Sequence, residues 1–313
     1  MKAIITREFG TADSLELTTL PIPSIKEDEV LVQVKAISIN PVDIKTAIGK
    51  GMSGRIKEFL PVVLGWDISG VVTEVGKNVT AFKKGDAVFG MVNFPGLGNA
   101  YAEYVAAPAG HLALKPSNIS HEAAAAATLA ALTAWQAFTQ QVQVKAGQKI
   151  LIHAAAGGVG HYAVQIAKHL GAYVIGTSSA KNKDLVLSLG ADEHIDYTSV
   201  HFEDAVKDVD IVLDAIGGEN AARSVDVVKQ GGTIISIPSG VPATGADKAK
   251  EKDVHLFFFL VSSSGKDMQE IATLLEQGKL RSHVSRIFPF EEMKAAHEVI
   301  ASGRAQGKII ITI

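Results

Sequence analysis

The sequence predicts an α/β protein in which a β domain is joined to a parallel sheet covered by helices on both faces. Residues 1 to about 120 consist of short β-like runs separated by glycine and proline, which is typical of a compact barrel or sandwich. Residues 121–286 instead alternate short apolar strands with helices, as in a doubly wound parallel sheet. Residues 287–313 return to β character. We therefore expect residues 1–120 and 287–313 to form one domain and residues 121–286 the other.

Composition excludes several classes of protein. The chain has 313 residues, a formal net charge of −3 and no cysteine. A small negative charge argues against nucleic-acid partners and anionic membranes, which attract basic surfaces. The lack of cysteine excludes disulfides, thiolate nucleophiles and cysteine-bound metals. Acidic residues occur too early after Met1 for a signal peptide, so we expect a soluble, cytoplasmic protein.

The β domain is predicted from a few strong segments. Strands are expected at Glu29–Ile39, Ile68–Val75 and Ala100–Ala106. Near the C-terminus, a helix is expected around Glu291–Ser302, followed by a strand at Lys308–Ile313. The simplest topology inserts the parallel-sheet domain into a β domain whose final strands come from the C-terminus.

The inserted domain follows a regular alternation of elements. Its expected order is helix 123–140, strand 149–153, helix 159–170, strand 173–176, helix 181–189, strand 210–213 and strand 233–236. Because these strands are nearly all apolar, both faces of the sheet should be covered.

The turn between the strand at 149–153 and the next helix carries the strongest functional signal. Small residues at Ala155, Gly157 and Gly160 have the spacing of a dinucleotide-binding turn. The first allows a tight turn, the second lets backbone amides approach a pyrophosphate, and the third lets helix and strand pack closely. The helix N-terminus would offer free N–H groups to the phosphates. The alternative is a tight turn that binds nothing.

The end of the second strand favours NADPH over NADH. An NAD site usually has an acidic residue about 20 residues after the turn, on the ribose 2′-hydroxyl. Here the strand is followed by Ser178 and Ser179, then Lys181 and Lys183, and the first carboxylate is Asp184. Hydroxyls and ammonium groups suit a 2′-phosphate. The alternative is that both lysines are ordinary solvated residues of a helix start.

A family resemblance rests on many such matches in order. The turn and its surroundings resemble the signature of the zinc-free, zeta-crystallin-type quinone oxidoreductases of the medium-chain dehydrogenase/reductase superfamily. The matching residues around the turn are Gly147-Gln148, Leu151, Ala155–Gly158, Gly160, Gln165 and Lys168. The likeness covers most of the chain, through Pro23, Asp28–Val32, Asn40–Asp43, Gly65–Gly70, Val75-Gly76, Phe82, Gly85-Asp86, Val88, Leu132–Ala134 and Gly307-Lys308.

The resemblance implies a GroES-like β-barrel catalytic domain, a Rossmann domain and a set of cofactor contacts. Thr133, Ala156, Gly157, Gly158, Val159 and Gly160 would lie near the ribose and diphosphate. Ser178, Ser179, Lys183 and Tyr197 would hold the 2′-phosphate end. Ile216, Gly217, Ile237, Pro238, Phe259 and Val261 would line the nicotinamide, and Lys308 would reach back from the last strand.

The same resemblance bears on assembly and on metal. The resemblance implies a dimer or tetramer that pairs strands near residues 255–261. The apolar run Leu256–Val261 suits a homodimer because it should not stay exposed. The alternative is a central buried strand. Zinc alcohol dehydrogenases place a cysteine where this chain has Asn40 or Pro41, and a His-Glu pair at Trp66-Asp67. We predict no metal.

Catalysis without a metal needs another group to stabilise charge. Hydride transfer from NADPH to a quinone or a conjugated enone creates an enolate or quinol oxygen. Lys45 is the candidate cation. It follows the Asn40–Asp43 motif at a point where many quinone oxidoreductases have tyrosine. A lysine after this motif resembles the enone reductase branch of the family. Asn40 is the second candidate, on the nicotinamide side. Lys45 as a solvated residue, a one-electron quinone mechanism, and a catalytically idle NADPH-binding sensor or structural protein are the alternatives.

Overall fold

The computed structural model describes residues 1–10, 14–238 and 240–313. Within these, the chain forms two compact units. Unit 1 contains Met1–Leu132 and Ser262–Ile313, and unit 2 contains Thr133–Val261. Among the described residues, no helix has the length and apolar character needed to span a bilayer.

The first part of the chain is mostly β structure. Its strands are β1 Lys2–Thr6, β2 Leu15–Thr19, β3 Glu29–Ile39, β4 Val62–Val63, β5 Asp67–Val75, β6 Ala87–Met91, β7 Tyr104–Pro108 and β8 Leu112–Leu114. Its helices are α1 Pro41–Ala47, α2 Ser53–Ile56, α3 His121–Ala126 and α4 Leu129–Gln136, and a π-helical turn at Ala137–Gln141 continues α4.

The middle of the chain alternates strands and helices as predicted. Its strands are β9 Lys149–Ile152, β10 Tyr173–Ser178, β11 Glu193–Asp196, β12 Val209–Asp214, β13 Val228–Ser236 and β14 His255–Phe258. Its helices are α5 Gly160–His169, α6 Lys183–Ser188, α7 Phe202–Ala205, α8 Glu219–Ser224 and α9 Ala243–Glu251. The C-terminal part adds α10 Gly265–Glu276, β15 Val284–Pro289, α11 Met293–Ala301 and β16 Lys308–Thr312.

Unit 1 is built on a sheet of order β15-β16-β3-β5-β6-β8, with β7 also paired to β3, and a smaller sheet β2-β1-β4. The final strand β16 pairs antiparallel with β3, which places Ile311 opposite Ile37. Both residues belong to the apolar core of this unit. The predicted return of the C-terminus to the β domain is therefore present.

Unit 2 contains one parallel sheet of order β11-β10-β9-β12-β13-β14. Numbered along the chain, that order is 3-2-1-4-5-6, the doubly wound arrangement of dinucleotide-binding domains. Leu151, Ile175, Val212 and Ile234 form its core. Among the described strands, β14 stands at the edge of the sheet, so it is not the central strand that the sequence left as an alternative.

The division between the units differs from the expected boundaries at 120/121 and 286/287. Contacts divide the chain at 132/133 and 261/262 instead. The reason is packing, because α3 lies against β3 and β5, and α10 lies against β8, all within unit 1. The sequence-based boundaries placed both helices in the parallel-sheet domain, because they rested only on where strands and helices begin to alternate.

The single helix predicted over 123–140 is interrupted. Within it, the Thr128 hydroxyl donates to the Ala125 carbonyl (2.7 Å) and the Leu129 amide donates to Asp67 Oδ1 (3.1 Å). Asp67 lies on β5, and its buried carboxylate provides an acceptor at the start of α4. A distant side chain therefore starts a new helix inside a continuous alanine-rich run.

Candidate functional site

The carboxyl ends of the unit 2 strands bring most of the predicted cofactor residues to one edge of the sheet. In doubly wound sheets, ligands bind outside these ends, at the point where strand order reverses. Here that point lies between β9 and β12. The glycine turn follows β9, the Ile216-Gly217 loop follows β12, and Ile237 follows β13. Thr133, buried in α4, and Lys308, which lies on β16 of unit 1, are the exceptions.

The glycine turn is anchored to the strands on both sides of β9. The His153 amide donates to the Leu213 carbonyl (3.0 Å), and the Ala155 amide donates to the Thr177 carbonyl (2.9 Å). A Cβ on Gly160 would collide with the Ala154 carbonyl oxygen, so the turn needs glycine there. Its backbone is consequently fixed before any ligand arrives.

Helix α5 begins directly after this turn, at Gly160. Its N-cap residue, Val159, supplies no capping hydrogen bond from a side chain within the described structure. The first amides of a helix have no acceptor inside the helix, and they carry the positive end of its dipole. Gly157, Gly158 and Val159 are half-buried, whereas Ala156 is buried beneath them. This arrangement suits a diphosphate.

The buried side chain of His153 links the glycine turn to neighbouring elements. Its Nδ1 lies 3.1 Å from Thr177 Oγ1 and its Nε2 lies 3.0 Å from Ser224 Oγ, while Phe202 packs edge-on against the ring. Burial is the main cause that lowers the pKa of His153 to about 4. The ring is therefore neutral near pH 7 and links the turn to β10 and α8.

The loop after β12 is organised by a residue that the sequence analysis missed. Buried Asp214 accepts from the Ile216 amide at Oδ1 (3.1 Å) and from the Gly217 amide at Oδ2 (3.0 Å). Gly217 has a φ of +81°, which favours glycine. Ile216 is 52% exposed as a result. An aspartate ending an apolar strand just before Ile-Gly-Gly was the available signal.

The strands beyond β12 add backbone at the same edge. The Ile237 amide donates to the Asp214 carbonyl (3.1 Å), and the Phe259 amide donates to the Ser236 carbonyl (2.9 Å). Pro238 follows Ile237, and Val261 is buried two residues beyond Phe259. The predicted nicotinamide residues are therefore all found in consecutive loops.

The opposite side of the turn contains the residues predicted for a 2′-phosphate. Ser178 ends β10, and the Tyr197 amide donates to its carbonyl (3.2 Å). Ser179 follows directly, Lys183 is the exposed first residue of α6, and the Tyr197 side chain is 60% exposed. The Ser178 hydroxyl lies 2.8 Å from His194 Nε2, a neighbour that the sequence analysis missed.

In unit 1, Asn40 is held in a buried polar network. Its Nδ2 donates to Asp67 Oδ2 (2.8 Å), and its Oδ1 accepts from the Lys308 ammonium. Lys308 also donates to the Ile39 carbonyl (3.1 Å) and is only 3% exposed. These contacts occupy the ammonium inside unit 1, whereas the resemblance implied that Lys308 reaches the cofactor.

A second carboxyl group lies in the same network. Asp43 Oδ2 accepts from the Asn40 amide (2.6 Å), and no described residue contacts its other oxygen, Oδ1, by a hydrogen bond. Burial, and then the charge of Asp67, raise the pKa of Asp43 to about 8. Burial likewise raises the pKa of Asp67, although Lys308 opposes that shift. One ammonium therefore faces two carboxyl groups, and Asp43 retains its proton near neutral pH.

Lys45, the candidate cation, lies in the last turn of α1 and is half-buried. Asn40 is the N-cap of the same helix. The short segment 40–45 therefore carries both candidate catalytic residues, and the buried network fixes its first residue.

Comparison with known proteins shows which family the chain belongs to. Residues 26–117 match the family described as "Alcohol dehydrogenase GroES-like domain", and residues 189–311 match "Zinc-binding dehydrogenase". A 2-methylene-furan-3-one reductase from Solanum lycopersicum is 37% identical over 99% of this chain and 79% of its own length. The chloroplastic NADPH-dependent alkenal/one oxidoreductase of Arabidopsis thaliana is 36% identical over the same shares. The chain belongs to the medium-chain dehydrogenase/reductase superfamily.

Solved structures of this superfamily match the whole chain. The quinone oxidoreductase from Coxiella burnetii has a TM-score of 0.94 and 38% identity, covering 100% of this chain and 99% of its own. The Escherichia coli quinone oxidoreductase, solved in complex with NADPH, has a TM-score of 0.89 and 27% identity, covering both chains completely. The predicted fold class, a GroES-like domain with a Rossmann-like parallel sheet, is confirmed.

One of the two family descriptions names zinc, but the residues of this dehydrogenase/reductase do not fit a zinc ion. At the positions where the resemblance places zinc ligands, this chain has Asn40 or Pro41, then Trp66 and Asp67, and the Lys308 ammonium donates to Asn40. A buried ammonium would repel a divalent cation. Among the described residues, no group of three or more histidine, aspartate or glutamate side chains could hold a metal ion.

Proposed function

We propose that the chain is an NADPH-dependent, zinc-independent oxidoreductase that transfers hydride to a quinone or an α,β-unsaturated carbonyl compound. One observation carries the proposal. At the strand-order reversal of a parallel sheet, an anchored glycine turn lies between two loops. One is the segment from Ser178 to Lys183 after β10, and the other is the loop organised by Asp214 after β12. The names of the relatives support it, since they specify NADPH, quinones and an alkenal/one.

Different loops of unit 2 would hold different parts of NADPH. The amides of Gly158 and Val159 would bind the diphosphate beside Gly157, whose own amide donates to the Ala154 carbonyl (2.8 Å). Ser178 with Lys183 would bind the 2′-phosphate. The loops at Ile216-Gly217, Ile237-Pro238 and Phe259 would line the nicotinamide. NADPH, when bound, supplies the hydride; the protein orients it and excludes water.

The acceptor class follows from the chemistry of Asn40, Trp66 and Lys308, which does not fit a zinc ion. Alcohol oxidation by zinc enzymes uses the metal to stabilise an alkoxide. A C=C bond conjugated to a carbonyl, or a quinone, accepts hydride without such a metal, because the charge delocalises onto an enolate or quinol oxygen. In our proposal the Lys45 ammonium stabilises that oxygen. Elemental analysis should find less than stoichiometric zinc in the active protein.

An acceptor panel tests the activity. Purified protein should oxidise NADPH in the presence of 1,4-benzoquinone, 3-buten-2-one or both, and more slowly with NADH. Binding of NADPH without turnover of any acceptor would contradict the proposal and favour a catalytically idle binding protein.

A Lys45→Ala variant tests the role of the candidate cation. It should lower kcat about 100-fold, the lower range for a lost proton donor or charge stabiliser, with NADPH affinity nearly unchanged. Lys50→Ala, an exposed lysine just after the same helix, is the matched control and should retain kcat. Equal kcat in the wild type and Lys45→Ala would remove Lys45 from the mechanism.

We further propose that the protein is a homodimer, because β14 leaves an apolar strand at the edge of the described sheet. Phe258 is 41% exposed there. The compartment, expected to be the cytoplasm, stays a prediction, since one relative named above is chloroplastic.

A further inference from the structure

The end of strand β10 contains a histidine contact that the proposed function does not use. His194 lies on the neighbouring strand β11, and its Nε2 is 2.8 Å from Ser178 Oγ. The same hydroxyl oxygen is 3.2 Å from the Ser179 carbonyl. Ser178 is only 3% exposed, so its buried hydroxyl has His194 and the Ser179 carbonyl as its hydrogen-bond partners. The end of the second strand is where doubly wound sheets recognise the group on the ribose 2′-carbon.

The hydrogen on His194 Nε2 controls what Ser178 can donate. A hydroxyl has one hydrogen. If Nε2 is unprotonated, it accepts that hydrogen, and only lone pairs of Ser178 remain for a ligand. If Nε2 carries a hydrogen, as in one neutral tautomer and always in the imidazolium, it donates to Oγ, and the hydroxyl hydrogen is left for the Ser179 carbonyl or a ligand. In the imidazolium, Ser178 can therefore never donate its hydrogen to His194, and the positive ring lies directly behind the hydroxyl.

Burial favours a neutral His194 ring in the free protein. Burial is the largest cause that lowers the pKa of His194 below its ordinary value. Lys183 on α6 lowers this pKa further, whereas Asp196 on β11 raises it. The Asp196 carboxylate is engaged locally, since it accepts from the Thr198 amide (3.0 Å) and hydroxyl (2.7 Å). The third neighbouring element, β10, contributes the uncharged Ser178.

We propose that His194 couples the binding of NADPH, but not of NADH, to the uptake of a proton, a contribution that favours NADPH over NADH as pH falls. The proposal rests on the proposed function, because it needs a 2′-phosphate at the end of β10. A phosphate monoester adds about 1.5 to 2 negative charges at pH 7, which would stabilise an imidazolium behind Ser178. NADH has only a neutral hydroxyl at that position.

The phosphate itself titrates with a second pKa of about 6, and this must be separated from His194. Binding beside Lys183 favours the dianion, so the phosphate releases a proton on binding. That release is the same whether or not residue 194 titrates. The informative quantity is therefore the difference in proton uptake between the wild type and a variant without a titrating ring.

Titration calorimetry measures this difference. NADPH and NADH are titrated into wild type, His194→Gln and His169→Gln between about pH 6 and pH 7, in two buffers of different ionisation enthalpy. Glutamine retains a hydrogen-bonding group toward Ser178 but does not titrate. His169, exposed at the far end of α5, is the matched control. Wild type and His169→Gln should take up as much as about one more proton per NADPH than His194→Gln, with no such difference for NADH.

Each outcome decides a different claim. Equal proton uptake in wild type and His194→Gln, with NADPH bound by both, overturns the role of His194 and leaves the proposed function standing. No binding of NADPH to the wild type overturns both. If His194→Gln does not fold, NMR titration of the His194 ring in the wild type replaces it. The ring should titrate at higher pH with NADPH than with NADH, and coincident curves would refute the coupling.

Discussion

The buried charges around Asn40 are unusual because they do not balance. Asp43 and Asp67 are both fully buried, and Lys308 is the cation in contact with their network. Removing a charge from water is costly unless it is paired, so the carboxyl group in surplus takes up a proton. Asp43, whose pKa is raised to about 8, is that group. This consequence can be measured as a pH dependence of stability.

Asp43→Asn should change how stability depends on pH. The pKa of Asp43 is about 3.8 in an unfolded chain and about 8 in the folded one, so in this window the folded state holds one more proton. Stability from this group is complete below about pH 4 and is lost as pH rises toward 8. Relative to Asp43→Asn, the wild type should therefore lose as much as about 1.4 kcal/mol per pH unit.

Urea unfolding between pH 4 and pH 8 measures this, followed by the fluorescence of buried Trp66 in a Trp135→Phe background. Asp86→Asn, an aspartate of the same unit outside this network, is the control and should run parallel to the wild type. Parallel curves for the wild type and Asp43→Asn would contradict the assignment of the extra proton.

Lys183 is predicted to distinguish the two coenzymes. Lys183→Ala should weaken NADPH binding about 10- to 100-fold, the effect of losing a charged hydrogen bond, and weaken NADH binding by less than about twofold. Lys145→Ala, an exposed lysine in the loop before β9, should leave both affinities unchanged. The dissociation constants are measured by titration calorimetry. An equal loss of affinity for NADPH and NADH would show that Lys183 does not contact the 2′-phosphate.

Strand β14 has unpaired backbone groups on one side of the described sheet. A free apolar edge can pair with another chain, and natural proteins usually protect such edges. Leu256 and Phe257 are half-buried, whereas Phe258 is 41% exposed. Pairing of two copies of β14 would cover this surface, which is the physical basis of the proposed homodimer.

Phe258→Asp should therefore convert the dimer to a monomer, because it places a charge in the paired edge. Light scattering coupled to size-exclusion chromatography measures the mass. Ile287→Asp provides the matched control, since Ile287 is 55% exposed on β15, the edge strand of the larger described sheet of unit 1. It should leave the dimer intact. A wild-type monomer, or a dimer that survives Phe258→Asp, would contradict this interface.

Periodicity and glycine spacing predict local structure well here, because both depend on neighbouring residues. The parallel sheet and the turn at Ala155–Gly160 were accessible in this way. The break between α3 and α4 was not, since it depends on Asp67, which lies 62 residues from Leu129 in the sequence. The site shows the same limit, because the contact between Lys308 and Asn40 spans 268 residues. His194 and Asp214 were missed because adjacent strands create their roles.

For the whole chain, the central claim is that the carboxyl edge of the parallel sheet binds a reduced nicotinamide coenzyme. Titration of the intact protein with NADPH and NADH by calorimetry tests it most directly. Saturable binding of one NADPH per chain, tighter than that of NADH, is the expected result. If the protein in the calorimeter is folded and neither coenzyme shows saturable binding, the central claim is contradicted.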